Sequence, residues 1–273
     1  SFQIQMIKRV FMNTEIYPVS AFNDNYIWII RHGDNAVAVD PGQAAPVVND
    51  LESKGLTLKG ILITHHHDDH TGGVRELVER YGARVYGPSF ETRPIPCLDE
   101  GLQEGDKVKV DALPVEFEVL EVPGHTMGHI AYTATINDEQ PVLFCGDTLF
   151  SCGCGRIFEG DSRLMLQSID KFKNLSQNTN IYCAHEYTLS NIDWALTVEP
   201  ANEALQKWSQ KARELRKQNL PTLPTTIAQE QATNPFMRVR EQLVINAAQT
   251  YAGTELTEAA AVFGALREWK NNA

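Results

Sequence analysis

The segment His65–His66–His67–Asp68–Asp69–His70 sets six consecutive metal-ligand side chains between an apolar run, Gly60–Thr64, and Thr71–Gly72–Gly73, which opens a helical pattern. Six such residues between a buried strand and a helix are hard to explain as solvated surface. They predict a metal site, and their internal position excludes an expression tag. In extended chain, residues 65, 67 and 69 project to one side and 66, 68 and 70 to the other. His65 and His67 therefore suit one metal. Asp69 suits a second, joined by His70 if the chain turns into the helix. His66 and Asp68 point away.

Further ligand types sit at other predicted strand ends. His125 lies in Pro123–Gly124–His125–Thr126–Met127–Gly128–His129, past a strand ending near Glu121. Asp147 follows Pro141–Cys145, and His185 follows Asn180–Ala184. Ligands at three strand ends are what a site at one edge of a layered sheet requires. His32 reads as a surface residue and His129 as structural.

The 273 residues suit one large domain or two smaller ones. Before residue 186, short strands alternate with helical stretches at about Pro46–Lys54, Val74–Tyr81 and Arg163–Lys173. That mixture predicts an α/β architecture of sheets covered by helices. After 186 strands vanish from the pattern. A helix is expected from Pro200, with Ala201, Ala204, Leu205, Trp208, Ala212 and Leu215 on one face. Two more are expected over Arg238–Tyr251 and Thr257–Trp269. Residues 1–11 are set aside as a leader or upstream extension.

A net charge of −11 argues against a nucleic-acid partner, which wants a basic face. No apolar run approaches the ~18 residues of a membrane helix. Five cysteines, an odd number, and no signal peptide fit reduced thiols and a cytoplasmic location.

Thr64–His70, the later His, the Gly–Asp and the final His resemble the metallo-β-lactamase superfamily. Ala21–Trp28, Val39–Gly42, Gly146–Phe150, Gly153–Arg156, His185–Thr188 and Asn234–Arg238 resemble, within it, the hydroxyacylglutathione hydrolase (glyoxalase II) family. The resemblance implies a four-layered αβ/βα catalytic domain over residues 12–185 and an all-helical, substrate-binding domain over 186–273. It implies two divalent metal ions, zinc first, with iron or manganese acceptable to the same donors. His65, His67 and His125 would hold one, and Asp69, His70 and His185 the other, with Asp147 bridging. With Asp69 and Asp147 as the catalytic residues, a metal-bound hydroxide, oriented by Asp69, would attack a glutathione thioester such as S-lactoylglutathione. Arg156, Phe158, Tyr187, Arg267 and Lys270 would line the substrate site, Phe158 standing where relatives often carry Tyr. Cys152 and Cys154 are structural in this reading, and the protein a monomer. The alternatives are a persulfide dioxygenase of the same superfamily and a non-catalytic metal-binding module.

Overall fold

The computed structural model describes residues 12–273, so the expectation for residues 1–11 lies outside the described residues. Two six-stranded sheets stack face to face. The first has the order β1 (Thr14–Ala21), β2 (Asn25–His32), β3 (Asn35–Val39), β4 (Thr57–Leu62), β5 (Arg84–Pro88) and β6 (Glu100–Leu102). The second runs β14 (Thr225–Thr226), β13 (Asn180–Cys183), β10 (Gln140–Gly146), β9 (Ile130–Ile136), β8 (Glu116–Glu121) and β7 (Lys107–Lys109). A small hairpin, β11 (Leu149–Phe150) with β12 (Gly153–Cys154), stands apart.

Strand alternation sorts the first sheet's side chains into two cores. Trp28, Ile30, Val37 and Val39 face the second sheet. Ile27, Ile29, Ala36 and Ala38 face outward, against α1 (Ala44–Lys54) and α3 (Val74–Tyr81), which supply Val47, Leu51, Val74 and Leu77. Central strands are thus buried on both faces, which is why their sequences read as continuous apolar runs. Over the second sheet lies α4 (Ser162–Phe172), whose Met165, Ile169 and Phe172 share a core with Phe117 and Phe144. The layers are therefore helix, sheet, sheet, helix.

The remaining helices are α5 (Thr188–Val198), α6 (Glu203–Lys217), α7 (Ile227–Thr233), α8 (Gln242–Ala252) and α9 (Ala259–Asn271). Trp194, Leu205, Phe236 and Phe263 join the same core that fills the sandwich. No helix among the described residues is long and apolar enough to cross a membrane.

Three expectations need correction. Strands do not end at residue 186: β14 pairs with β13, Thr226 opposite Asn180 and Thr225 opposite Ile181, and covers the second sheet's open edge. The helix expected from Pro200 starts at Glu203, because the Asn202 side chain accepts the Leu205 N–H at 3.0 Å and caps it there. The helix expected from Arg238 starts at Gln242. Arg238 is instead drawn into a two-pronged ion pair with the buried Glu199, at 2.6 and 3.1 Å.

Candidate metal centre

All the predicted ligand positions fall at one end of the sandwich. β3, β4 and β5 run parallel to one another, as do β10 and β13. Chain leaving β4 carries His65 and His67, and chain leaving β8, β10 and β13 carries His125, Asp147 and His185. The four-residue helix α2 (Asp68–Thr71) turns the chain immediately after His67, so Asp69 and His70 both converge on the centre. His66 and Asp68 face away, as the alternation predicts. The His66 ring donates from Nδ1 to Glu91 at 2.7 Å, and Asp68 is exposed. The register between β10 and β13 slips between Phe144 and Gly146, a bulge that aims Asp147 inward. Gly146 has φ of 52°, and a Cβ there would lie 2.4 Å from Thr64 Oγ1.

Two clusters result. His65, His67 and His125 form one; Asp69, His70, Asp147 and His185 form the other; Asp40 also comes within reach of His65 and His70, and Glu159 of His66 and His67. His67 Nδ1 and His125 Nε2 approach to 3.2 Å. Asp147 reaches both clusters: its Oδ2 is 3.2 Å from His70 Nε2 and 3.4 Å from His125 Nε2, and its Oδ1 is 3.3 Å from His185 Nε2. His65 Nε2 and Asp147 Oδ1 are buried without a hydrogen-bond partner. Buried polar atoms left so are costly unless a cation completes them. The donor set, imidazole nitrogens with two carboxylates, is that of a divalent first-row metal.

A second ring of groups fixes each imidazole. Thr64 gives its hydroxyl proton to Asp40 at 2.6 Å and so receives the Nδ1–H of His65 at 2.9 Å. His70 donates from Nδ1 to Asp40 (3.0 Å), His185 to Asp24 (2.8 Å) and His125 to the Arg156 carbonyl (2.7 Å). The Nε2 lone pairs of these four rings are thereby turned to the centre. Asn25 Nδ2 holds Asp69 Oδ2 at 3.0 Å. His129 stacks on His65 and accepts the Asp147 backbone N–H at 3.2 Å, the structural role expected of it. His32 sits half-buried beside Thr14, remote from the clusters. Asp40, Asp24, Asn25 and Thr64 were not singled out from sequence as holding the ligands.

Charge follows geometry. Burial and then the neighbouring imidazoles hold His65 and His67 below the ordinary histidine value. Burial opposes charge on His185 too, but Asp147 and Asp69 outweigh it and push His185 up to about 10. Burial would raise the Asp147 carboxyl, yet His70 and His185 hold it well below the usual carboxylate range.

The metallo-β-lactamase superfamily model matches residues 22–185, and the hydroxyacylglutathione hydrolase C-terminus model matches residues 186–273. A hydroxyacylglutathione hydrolase of Nitrosomonas europaea is 48% identical over 257 residues, 94% of this chain and 95% of its own. One of Hahella chejuensis is 50% identical over 260 residues, 94% of this chain and 99% of its own. The chain belongs to the hydroxyacylglutathione hydrolase family. Among solved structures, ETHE1 from Myxococcus xanthus aligns with a TM-score of 0.58 at 23% identity, over 94% of this chain and 97% of that one. A metallo-β-lactamase of Staphylococcus aureus subsp. aureus aligns with a TM-score of 0.61 at 19% identity, over 94% and 70%. These last two share the fold. Superfamily membership and the two clusters together make the chain a binder of divalent metal.

In this family member the clusters open into a cleft of about 490 Å³, lined also by Phe150, Arg156, Phe158, Tyr187, Arg267 and Lys270. All five side chains expected around substrate are thus in one place, though their surroundings differ. Arg156 is exposed. Phe158 is 62% exposed, its ring edge-on to His125 and His67 at 5.2 and 5.7 Å. Tyr187 stacks flat on His185 at 4.7 Å. Arg267 is only 6% exposed and gives Nη1–H to the Cys154 carbonyl at 2.7 Å. Lys270, half-buried, reaches over the Trp194 ring. None of the His, Asp and Glu clusters able to hold a metal among the described residues includes Cys152 or Cys154. Their hairpin is gripped from the C-terminal helices instead. Buried Glu230 accepts the Cys152 N–H at 2.7 Å and the Ser151 hydroxyl at 3.1 Å, and Asn234 donates to the Phe150 and Gly153 carbonyls.

Proposed function

We propose that the chain hydrolyses S-2-hydroxyacylglutathione thioesters, S-lactoylglutathione among them, to glutathione and a 2-hydroxy acid, the second step of methylglyoxal detoxification. The observation that carries this reading is one cleft joining the converged His/Asp clusters to Arg156, Arg267 and Lys270. The names of the relatives support it.

Two divalent ions would be held, one by His65, His67 and His125 and one by Asp69, His70 and His185, with Asp147 between them. Zinc suits these donors, and iron or manganese would be accepted by them. When bound, such ions lower the pKa of water towards neutrality and polarise a carbonyl oxygen. Asp69, held by Asn25 and facing the cleft, accepts a hydrogen bond from the attacking water and orients it on the thioester carbon. Asp147, buried beneath, fixes the spacing of the clusters. The leaving thiol has a pKa of about 8.5, so its departure as thiolate needs no general acid. Cys154 is no nucleophile here, since burial pushes its thiol up.

Glutathione carries two carboxylates, and a chain of net charge −11 repels them at long range. The cleft cations supply the local attraction, Arg156 and Lys270 directly and Arg267 through the hairpin it also holds. Tyr187 offers a hydroxyl to the peptide part, and Phe158 an apolar ring. Residues 12–185 would then form the catalytic domain and 186–273 the substrate-binding one. The protein would act as a cytoplasmic monomer.

Hydrolysis of S-lactoylglutathione, followed as loss of thioester absorbance with metal content measured on the same sample, tests the proposal. A protein that left the thioester intact and consumed oxygen with a glutathione persulfide would overturn it.

A further inference from the structure

Glu91 belongs to neither cluster. It lies on the loop after β5, and its side chain is 2% exposed. Its Oε2 accepts the His66 backbone N–H at 2.7 Å, the His66 Nδ1–H at 2.7 Å and the Thr126 hydroxyl at 3.1 Å. Its Oε1 accepts the Gly128 backbone N–H at 2.8 Å. His66 sits between His65 and His67, and Thr126 follows His125. One carboxylate therefore ties together the two loops that carry all three imidazoles of the first cluster. The approach is close enough to demand glycine at 128, where a Cβ would lie 2.5 Å from Glu91 Oε1.

We infer that Glu91 is a positioning residue for the three-histidine cluster: it sets that cluster's metal affinity by clamping the two ligand loops, without touching a ligand side chain. The chemistry is specific to a carboxylate. Four donors converge on two oxygens, and hydrogen bonds to an ionised acceptor are about twice as strong as neutral ones. A carboxamide offers one oxygen and turns an NH₂ toward donors that already fill the space. The second cluster has its own supports in Asp24 and Asn25, and Glu91 touches neither these nor Asp40, which serves both clusters, so the loss should be confined to one site. The inference rests on the two-metal reading above, and the parent protein's metal content tests that reading separately.

The experiment compares parent, Glu91→Gln, His66→Ala and Asp24→Asn, each loaded with zinc and dialysed against graded chelator. Metal per chain and the melting temperature of the stripped protein are both read. Groups supporting ligands typically alter metal affinity 10–100-fold. Glu91→Gln should release one metal at roughly that much lower chelator strength and keep the other. His66→Ala, which removes one of the four bonds, should shift release far less. Glu91→Gln combined with Asp24→Asn should release both metals early, because the two act on different sites. Unchanged release from Glu91→Gln overturns the inference. So does equal loss of both metals accompanied by a lowered melting temperature of the stripped protein, which marks a general structural role. If Glu91→Gln does not fold, Thr126→Val, which deletes one bond at nearly constant shape, takes its place. Release of one metal at lower chelator strength than the parent then supports the clamp, and release like the parent's overturns it.

Discussion

Asp147 and His185 meet through carboxylate Oδ1 and imidazole Nε2, 3.3 Å apart. The other oxygen of the same carboxylate is 3.4 Å from His125 Nε2, in the first cluster. One carboxylate thus approaches imidazole nitrogens of both clusters, so Asp147→Ala should remove their common member. Metal content should fall below two per chain and thioester hydrolysis should nearly vanish. A variant that stayed fully active with two metals would sink the bridging assignment.

His66→Ala is expected to do the opposite. Its ring points to Glu91, away from both clusters, and the backbone N–H that also binds Glu91 survives the substitution. Elemental analysis of the purified variant should still find two metals per chain. Loss of one would mean that the hexapeptide's side chains alternate differently from the way described.

Arg267 and Lys270 should part company, although they lie three residues apart on one helix face. Arg267 holds the Cys154 carbonyl, and removing it strands a buried acceptor at a cost of about 1–3 kcal/mol. For a chain of this size that lowers the melting temperature by roughly 3–10 °C. Lys270→Ala should leave stability almost unchanged and raise KM. With both replaced, KM for a glutathione thioester should rise roughly tenfold or more, the worth of about 1.4 kcal/mol of anion binding. Such binding is felt equally in ground and transition states, so kcat should move little. An unchanged KM in the double variant would reduce the pair to structure.

Lys270 also predicts a pH dependence. Burial first, and then the Arg267 guanidinium, hold its ammonium below the ordinary lysine value of 10.5. Cys154 acts in the opposite sense, and Arg156 adds to the depression. A lowered value means the proton, and with it the charge, leaves earlier as pH rises. KM should therefore climb on the alkaline side below 10.5, while at neutral pH it stays flat. Lys270→Arg keeps its charge throughout and should abolish the climb. Initial rates across the alkaline range, corrected for spontaneous thioester hydrolysis, decide it; equal profiles for parent and variant would rule Lys270 out as the group responsible.

What the sequence made legible was local. The hexapeptide announced itself because its members adjoin, and β2 and β3 read as strands because burial on both faces makes them short, nearly continuous apolar runs. β1 was missed because Pro18 interrupts it and only Thr14, Val19 and Ala21 are fully buried. The helix Thr188–Val198 was missed because it begins on the tail of the His185 motif with no side-chain cap to mark its start. The supports of the centre were hidden for another reason. Asp40 meets Thr64 and His70, Asp24 meets His185, and Glu91 meets Thr126, all far apart in sequence. A lone acid in a turn carries no mark of a partner that only folding brings to it.

The grip of Glu230 and Asn234 on the Ser151–Cys154 hairpin has a consequence in time. A ribosome adds about 5–20 residues per second, so the stretch from Glu186 to Asn234 takes roughly 2–10 s to follow the sandwich into being. During that interval the β13 edge lacks Thr225 and Thr226, and the Cys152 amide lacks its carboxylate. The nascent sandwich must wait, its cleft wall unpinned, for a segment still being made.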